Sequence, residues 1–172
     1  MIGYDHRRAS RPRRAVRQLA ATRPVAWVSA RALHRVDLLV HRATRGRTTF
    51  STVVSGLPVV MLTTTGARTG RSRTLPVLGI PDGDRMVVIA SNFGQRHHPA
   101  WYHNLRALPF ATVAGDGPAV AMRARELAGD ERERYFAAGV AVNPGWTRYR
   151  GRAGRRQIPV VMLEPIEEAR DA

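Results

Sequence analysis

Three guanidinium groups, Arg68, Arg71 and Arg73, surround two glycines and a run of hydroxyls in Thr63-Thr-Thr-Gly-Ala-Arg-Thr-Gly-Arg-Ser-Arg73. Guanidinium forks combined with the backbone N–H groups of a glycine-rich turn (Thr69, Gly70) suit a phosphate or a carboxylate. An ordinary solvated hairpin has the same composition. A second group of polar residues is Ala90-Ser-Asn-Phe-Gly-Gln-Arg-His-His-Pro-Ala-Trp-Tyr-His-Asn104. There Ser91 offers one donor and one acceptor beside Asn92, and Pro99 suits the first turn of a helix whose N-terminus attracts anions. Trp101 could stack on a planar ring and Asn104 could bond its edge; the alternative for Trp101 is a core anchor in a row with Leu105 and Leu108. Farther on, Trp146 and Tyr149 share a face on a helical turn. They could line an apolar pocket, with the Tyr149 hydroxyl as polar handle or proton donor, or simply cover an open barrel end. His97, His98 and His103 lie close together but have no neighbouring carboxylate and no recognised ligand spacing, so no metal is expected. Ser91 lacks a nucleophile-elbow context.

Composition excludes several chemistries. The chain has no cysteine, which removes disulfides and thiol nucleophiles, and no lysine, which removes Schiff bases and a Walker-type phosphate loop. Its net charge of +15 is uneven: residues 1–50 hold 12 arginines against 2 acids, and residues 51–172 hold 16 against 11. A basic arm of this kind attracts anionic surfaces. The apolar stretch Val25–Val40 is interrupted by Arg31, His34, Arg35 and Asp37, so it neither spans a membrane nor reads as a secretory signal. The expected location is the cytoplasm, with peripheral contact at the inner face of the cell membrane as an extension.

These residues must be positioned by short strands. The pattern predicts strands at 59–65, 73–80, 85–91, 110–114, 119–127 and 157–163, with turns at Pro81–Asp84 and Gly115–Pro118. One helix is predicted from Pro99 to before Pro109, and a second from Asp130 as N-cap towards Val142. A further helix over 24–42, ended by Arg45-Gly-Arg47, follows a loosely ordered 1–23. The expected domains are a basic arm and helix (1–50) and a barrel (51–172). Short connections favour a mainly β (α+β) antiparallel barrel of about six strands with two flanking helices plus the N-terminal one. Parallel doubly wound sheets need crossovers that these gaps cannot hold, and the dinucleotide glycine fingerprint is absent.

Leu62-Thr-Thr-Thr-Gly-Ala-Arg-Thr-Gly-Arg-Ser-Arg73, Ala90-Ser-Asn92, Pro99-Ala-Trp-Tyr-His-Asn-Leu105 and Arg156-Gln-Ile-Pro-Val-Val161 together resemble the deazaflavin-dependent nitroreductase family of actinobacteria, in order from about Leu57 to Pro165. The resemblance implies a split β-barrel that binds the reduced deazaflavin coenzyme F-420 and passes its hydride to a quinone, a nitro compound or an activated alkene. It implies that Arg68, Thr69, Gly70, Arg71 and Arg73 meet the anionic phosphate and oligoglutamate tail. Pro76, Ile89 and Ala90 would border the ring, with Ser91, Asn92, Ala100, Trp101, Tyr102 and Asn104 completing its slot. Trp146 and Tyr149 would face the acceptor, and Ser91 and Tyr149 would serve the chemistry, the final proton coming from solvent or Tyr149. The chain departs from the family at Ala67, where a basic residue is usual, and at Asn143 and Trp146, which replace hydroxyl-bearing aromatics. Quinones and other electron-poor conjugated acceptors are therefore expected ahead of nitroimidazoles. Related split barrels bind flavin mononucleotide or haem, and are often homodimers. A non-enzymatic alternative is a module docking on acidic lipid, or less readily nucleic acid, through the arm, since base-stacking aromatics are scarce there.

Overall fold

The structure, a computed structural model, describes residues 36–37, 39–40, 43–44, 56–115 and 117–166. The expectations for 1–23, for most of the 24–42 helix and its end at Arg45–Arg47, and for the boundary at residue 50 lie outside the described residues. Val36, Asp37, Leu39, Val40 and Ala43 are helical. No helix among the described residues is long and apolar enough to cross a membrane.

Six strands close into an antiparallel barrel. They are β1 (Val59–Thr65), β2 (Ser72–Asp82), β3 (Arg85–Ile89), β4 (Phe110–Ala114), β5 (Val120–Glu126) and β6 (Val160–Pro165), in the order β1-β2-β3-β6-β5-β4 with β4 returning to β1. Met61 shows the closure: it pairs with Pro76 on one side and Ala114 on the other. Helix α1 (Ala100–Ala107) follows β3, while α2 (Gly129–Val142) and α3 (Gly145–Arg152) both lie between β5 and β6.

Alternation along the strands sorts the core into two parts. Val60 and Leu62 of β1, Val88 of β3, Val113 of β4 and Leu163 of β6 face inward, and Trp101, Tyr102 and Leu105 of α1 join them. Val87, Ile89, Val160 and Met162 face outward, where Tyr135 and Phe136 of α2 and Trp146 and Tyr149 of α3 cover them. Gly139 lets α2 approach: a Cβ there would sit 2.5 Å from Ile89 Cδ1 and 2.7 Å from Trp146 Cζ3.

The structure amends several sequence expectations: β2 runs on through Pro81 and Asp82 of the expected turn, which tightens to Gly83 and Asp84. A third helix, α3, stands where only a helical turn at Trp146 and Tyr149 was expected. β3 stops at Ile89 because Ser91 N turns back to Ile89 O at 2.8 Å. β6 starts at Val160, just after Pro159, whose ring leaves no N–H for a ladder. The N-cap of α2 is Ala128; Asp130 lies inside the first turn, where its charge still meets the positive end of the helix.

Candidate active site

Where β3 ends, three consecutive residues adopt left-handed backbone angles: Asn92 (φ 47°), Phe93 (φ 55°) and Gly94 (φ 78°). Glycine tolerates this freely, whereas a bulky phenylalanine there carries strain of about 1–3 kcal/mol. The surroundings hold the turn in place. Gly94 N bonds Ser91 O at 2.9 Å and Gln95 N bonds Asn92 O at 3.0 Å, and the Asn92 amide donates to His97 O at 3.1 Å.

Arg156 does most of the holding. Its Nη2 donates to Ser91 O at 2.7 Å, Nη1 to Ala90 O at 3.2 Å and Nε to Gln95 O at 2.9 Å. Nη1 also lies 3.1 Å from His98 Nδ1. Arginine only donates, so this Nδ1 carries a lone pair and the His98 proton belongs on Nε2.

Burial, then the Arg156 charge, hold the His98 pKa below the ordinary 6.5; His103 and Arg106 push the same way and Glu126 opposes them. The unfolded chain therefore takes up the His98 proton first as pH falls. The stabilising contribution of neutral His98 is full above about pH 6.5 and is lost as pH drops towards its folded pKa. Urea midpoints should fall between about pH 7 and pH 5, and fall less in His98→Gln, whose amide oxygen can still accept from Arg156. Equal slopes would show that His98 is not the group responsible.

Ser91 and Trp146 meet: the indole Nε1 donates to Ser91 Oγ at 3.2 Å, with both side chains buried. One turn on, Tyr149 sets its ring edge against Phe93, 5.9 Å between centroids at 69°, with the Arg152 guanidinium 5.5 Å from its centroid. Burial pushes the Tyr149 phenol up from its ordinary value, so it stays protonated at neutral pH.

The arginine loop is fastened from within. Gly66 N bonds Arg71 O and Gly70 N bonds Gly66 O, at 2.9 and 2.8 Å, with Gly70 left-handed at φ 64°. Asn104 of α1 reaches the loop with both ends of its amide, accepting from Ala67 N and donating to Thr64 Oγ1, each at 3.0 Å. Arg68, Thr69, Gly70, Arg71 and Arg73 are exposed, and among the described residues the three arginines enter no ion pair.

The remaining expected site residues divide by access. Ala100 is exposed at the start of α1, and Asn92 and Pro76 are half-buried. Trp101 packs in the inner core at 6 % exposure, so of its two readings the structure displays the anchor, with no open face for stacking. Tyr102 is buried too; its hydroxyl donates to Glu126 Oε2 at 2.8 Å, and burial plus that bond push its pKa up to about 12. Ile89 and Ala90 belong to the two different core clusters and are both covered, and the Ala90 N–H and carbonyl are already bonded to Pro159 O and Arg156. Asn104 spends its amide on the loop, not on an open edge. Sequence reasoning missed the role of Arg156, since one arginine among 28 basic residues gives no local signal.

The model of the F420H(2)-dependent quinone reductase family matches residues 33–165. An F420H(2)-dependent quinone reductase of Mycobacterium tuberculosis is 31 % identical over 135 residues, covering 76 % of this chain and 89 % of its own length. Among solved structures, an F420-H2 dependent reductase is 36 % identical at a TM-score of 0.57, covering 62 % of this chain and 94 % of that one. A domain-swapped dimer is 32 % identical at a TM-score of 0.60, covering 83 % of this chain and all of that one.

Proposed function

Because the chain belongs to the F420H(2)-dependent quinone reductase family, we propose that it reduces a quinone with reduced coenzyme F-420 as the electron donor. The residues fit such a ligand. Three guanidinium groups on a glycine turn, with no ion-pair partner among the described residues, suit its anionic tail, and the end of β3 beside Trp146 offers neutral donors in apolar surroundings. When bound, the coenzyme supplies the hydride, which explains why no cysteine or activated serine is needed.

The observation that carries this reading is the Asn104 bridge, which ties the arginine loop to α1, the helix that follows the Ser91 turn. Tail-binding and ring-binding residues thus belong to one connected frame. Arg68, Arg71 and Arg73 hold the tail; Ser91 and Asn92 orient the ring; Trp146, itself buried, fixes Ser91 from behind; and Tyr149, kept protonated by burial, is a proton source beside solvent.

Titrating the protein with oxidised coenzyme F-420 should quench tryptophan fluorescence saturably, with flavin mononucleotide as the control. Arg68→Ala should weaken the affinity by about 3–10-fold at low salt and less at high salt, because an exposed charge is screened. Quenching by flavin mononucleotide alone would overturn the assignment of the coenzyme.

A further inference from the structure

The end of β3 holds hydrogen-bond donors that no described residue accepts. Ser91 is right-handed helical (φ −68°, ψ −33°), and Asn92 and Phe93 follow at φ 47° and 55°. A right-handed residue followed by a left-handed one turns successive backbone N–H groups towards one side, the concavity that binds negatively charged oxygen. Ser91 N is taken by Ile89 O, but the N–H groups of Asn92 and Phe93 donate to no acceptor among the described residues.

The Ser91 hydroxyl adds a third donor. An indole N–H can only donate, so Trp146 makes Ser91 Oγ the acceptor in their bond and leaves the hydroxyl proton to be given elsewhere. No described residue receives it, although Ser91 is only 8 % exposed. Meanwhile Arg156 draws off the Ala90 and Ser91 carbonyls. The Ala90 and Ser91 carbonyls are thereby engaged, while the Ser91 hydroxyl and the Asn92 and Phe93 N–H groups have no acceptor among the described residues.

We propose that the Ser91 hydroxyl and the N–H groups of Asn92 and Phe93 form an oxyanion site for a carbonyl oxygen of a planar conjugated ring, with Trp146 as the positioning residue that commits the Ser91 proton to that ligand. The proposal rests on the reductase reading above. A quinone that accepts a hydride carries negative charge on an oxygen until a proton arrives from solvent, and preorganised donors stabilise charge at that moment. Half-buried Phe93, backed by the buried rings of Trp146 and Tyr149, suits a flat ring better than a hydrated phosphate. The carbonyl belongs either to the acceptor or to the coenzyme ring, both of which present one.

Infrared difference spectra distinguish the two. The probes are carbonyl-labelled 2-methyl-1,4-naphthoquinone and oxidised coenzyme F-420, each bound to the full-length protein. One carbonyl band of one probe should lie below its position in a non-hydrogen-bonding solvent. It should move back up in Ser91→Ala, and part of the way in Trp146→Phe, which keeps an aromatic ring but no longer directs the serine proton. A shift confined to the quinone assigns the oxygen to the acceptor, and one confined to F-420 assigns it to the coenzyme. In turnover, Ser91→Ala should lower kcat on the order of 100-fold with a smaller change in KM. A purely structural Ser91–Trp146 tie would leave both bands where they are in both variants, and that result overturns the proposal. If the wild-type protein bound neither probe, the reductase reading would fail and this site with it.

Discussion

Arg156→Met should lower stability by about 2–4 kcal/mol and abolish coenzyme binding, the largest effect expected from a single side chain outside the core. The guanidinium serves three carbonyls, those of Ala90, Ser91 and Gln95, and among the described residues only Ser91 O has a second donor, Gly94 N. Methionine fills much of the same volume but leaves Ala90 O and Gln95 O with no described donor and Ser91 O with Gly94 N alone, and an unmet buried acceptor is worth more than the bond it once made. Asn92 and Phe93 would then lose the constraint that holds them left-handed, and the turn should relax to ordinary angles. Arg156→Lys should recover only part of the loss, because an ammonium cannot imitate the planar fork. Urea denaturation gives the stability and fluorescence titration gives the binding. A variant within about 0.5 kcal/mol of wild type would mean that water satisfies the carbonyls and that the turn holds itself.

Gly94→Ala should be the most damaging glycine substitution near the site, at about 3 kcal/mol or more. A Cβ at this position would lie 2.8 Å from Tyr149 O and 2.9 Å from both Tyr149 Cα and Arg152 Cβ. Two of these atoms are backbone of α3, so α3 itself must move. Positive φ adds a second penalty. Gly83→Ala separates the two causes: its φ of 66° imposes comparable strain, yet nothing lies within 4 Å of the added carbon. That variant should lose only about 1 kcal/mol. Displacement of α3 in Gly94→Ala should also break the Trp146–Ser91 bond and shift the tryptophan emission; equal losses in the two variants would show that crowding against α3 is unimportant.

Strands were legible because each has one apolar face, and period-two alternation survives in a half-buried sheet. β1 and β4 occupy the predicted residues. The misplaced ends, at β3 and β6, fall where a hydrogen bond or a proline ends a ladder whose apolar pattern runs on. The arginine loop could be read from composition alone, since exposed groups act through their own chemistry. Arg156, Asn104 and Trp101 could not be read this way. Each acts through partners 37 to 66 residues distant or through burial in a closed core, and one-dimensional spacing carries no record of either. α3 eluded prediction for another reason: Gly145-Trp-Thr-Arg-Tyr-Arg-Gly-Arg152 is held by the packing of Trp146 and Tyr149, while its two glycines argue locally against a helix.

Asn104 and Arg156 have a joint consequence. One fastens the arginine loop to α1 from inside the helix, and the other grips His98, two residues before the helix begins. A helix of eight residues is a stiff bar roughly 12 Å long. If both loops take the proposed ligand, they are mounted like the jaws of a caliper whose gap is set in advance, and molecules would be sorted by their length as well as by their charge and flatness.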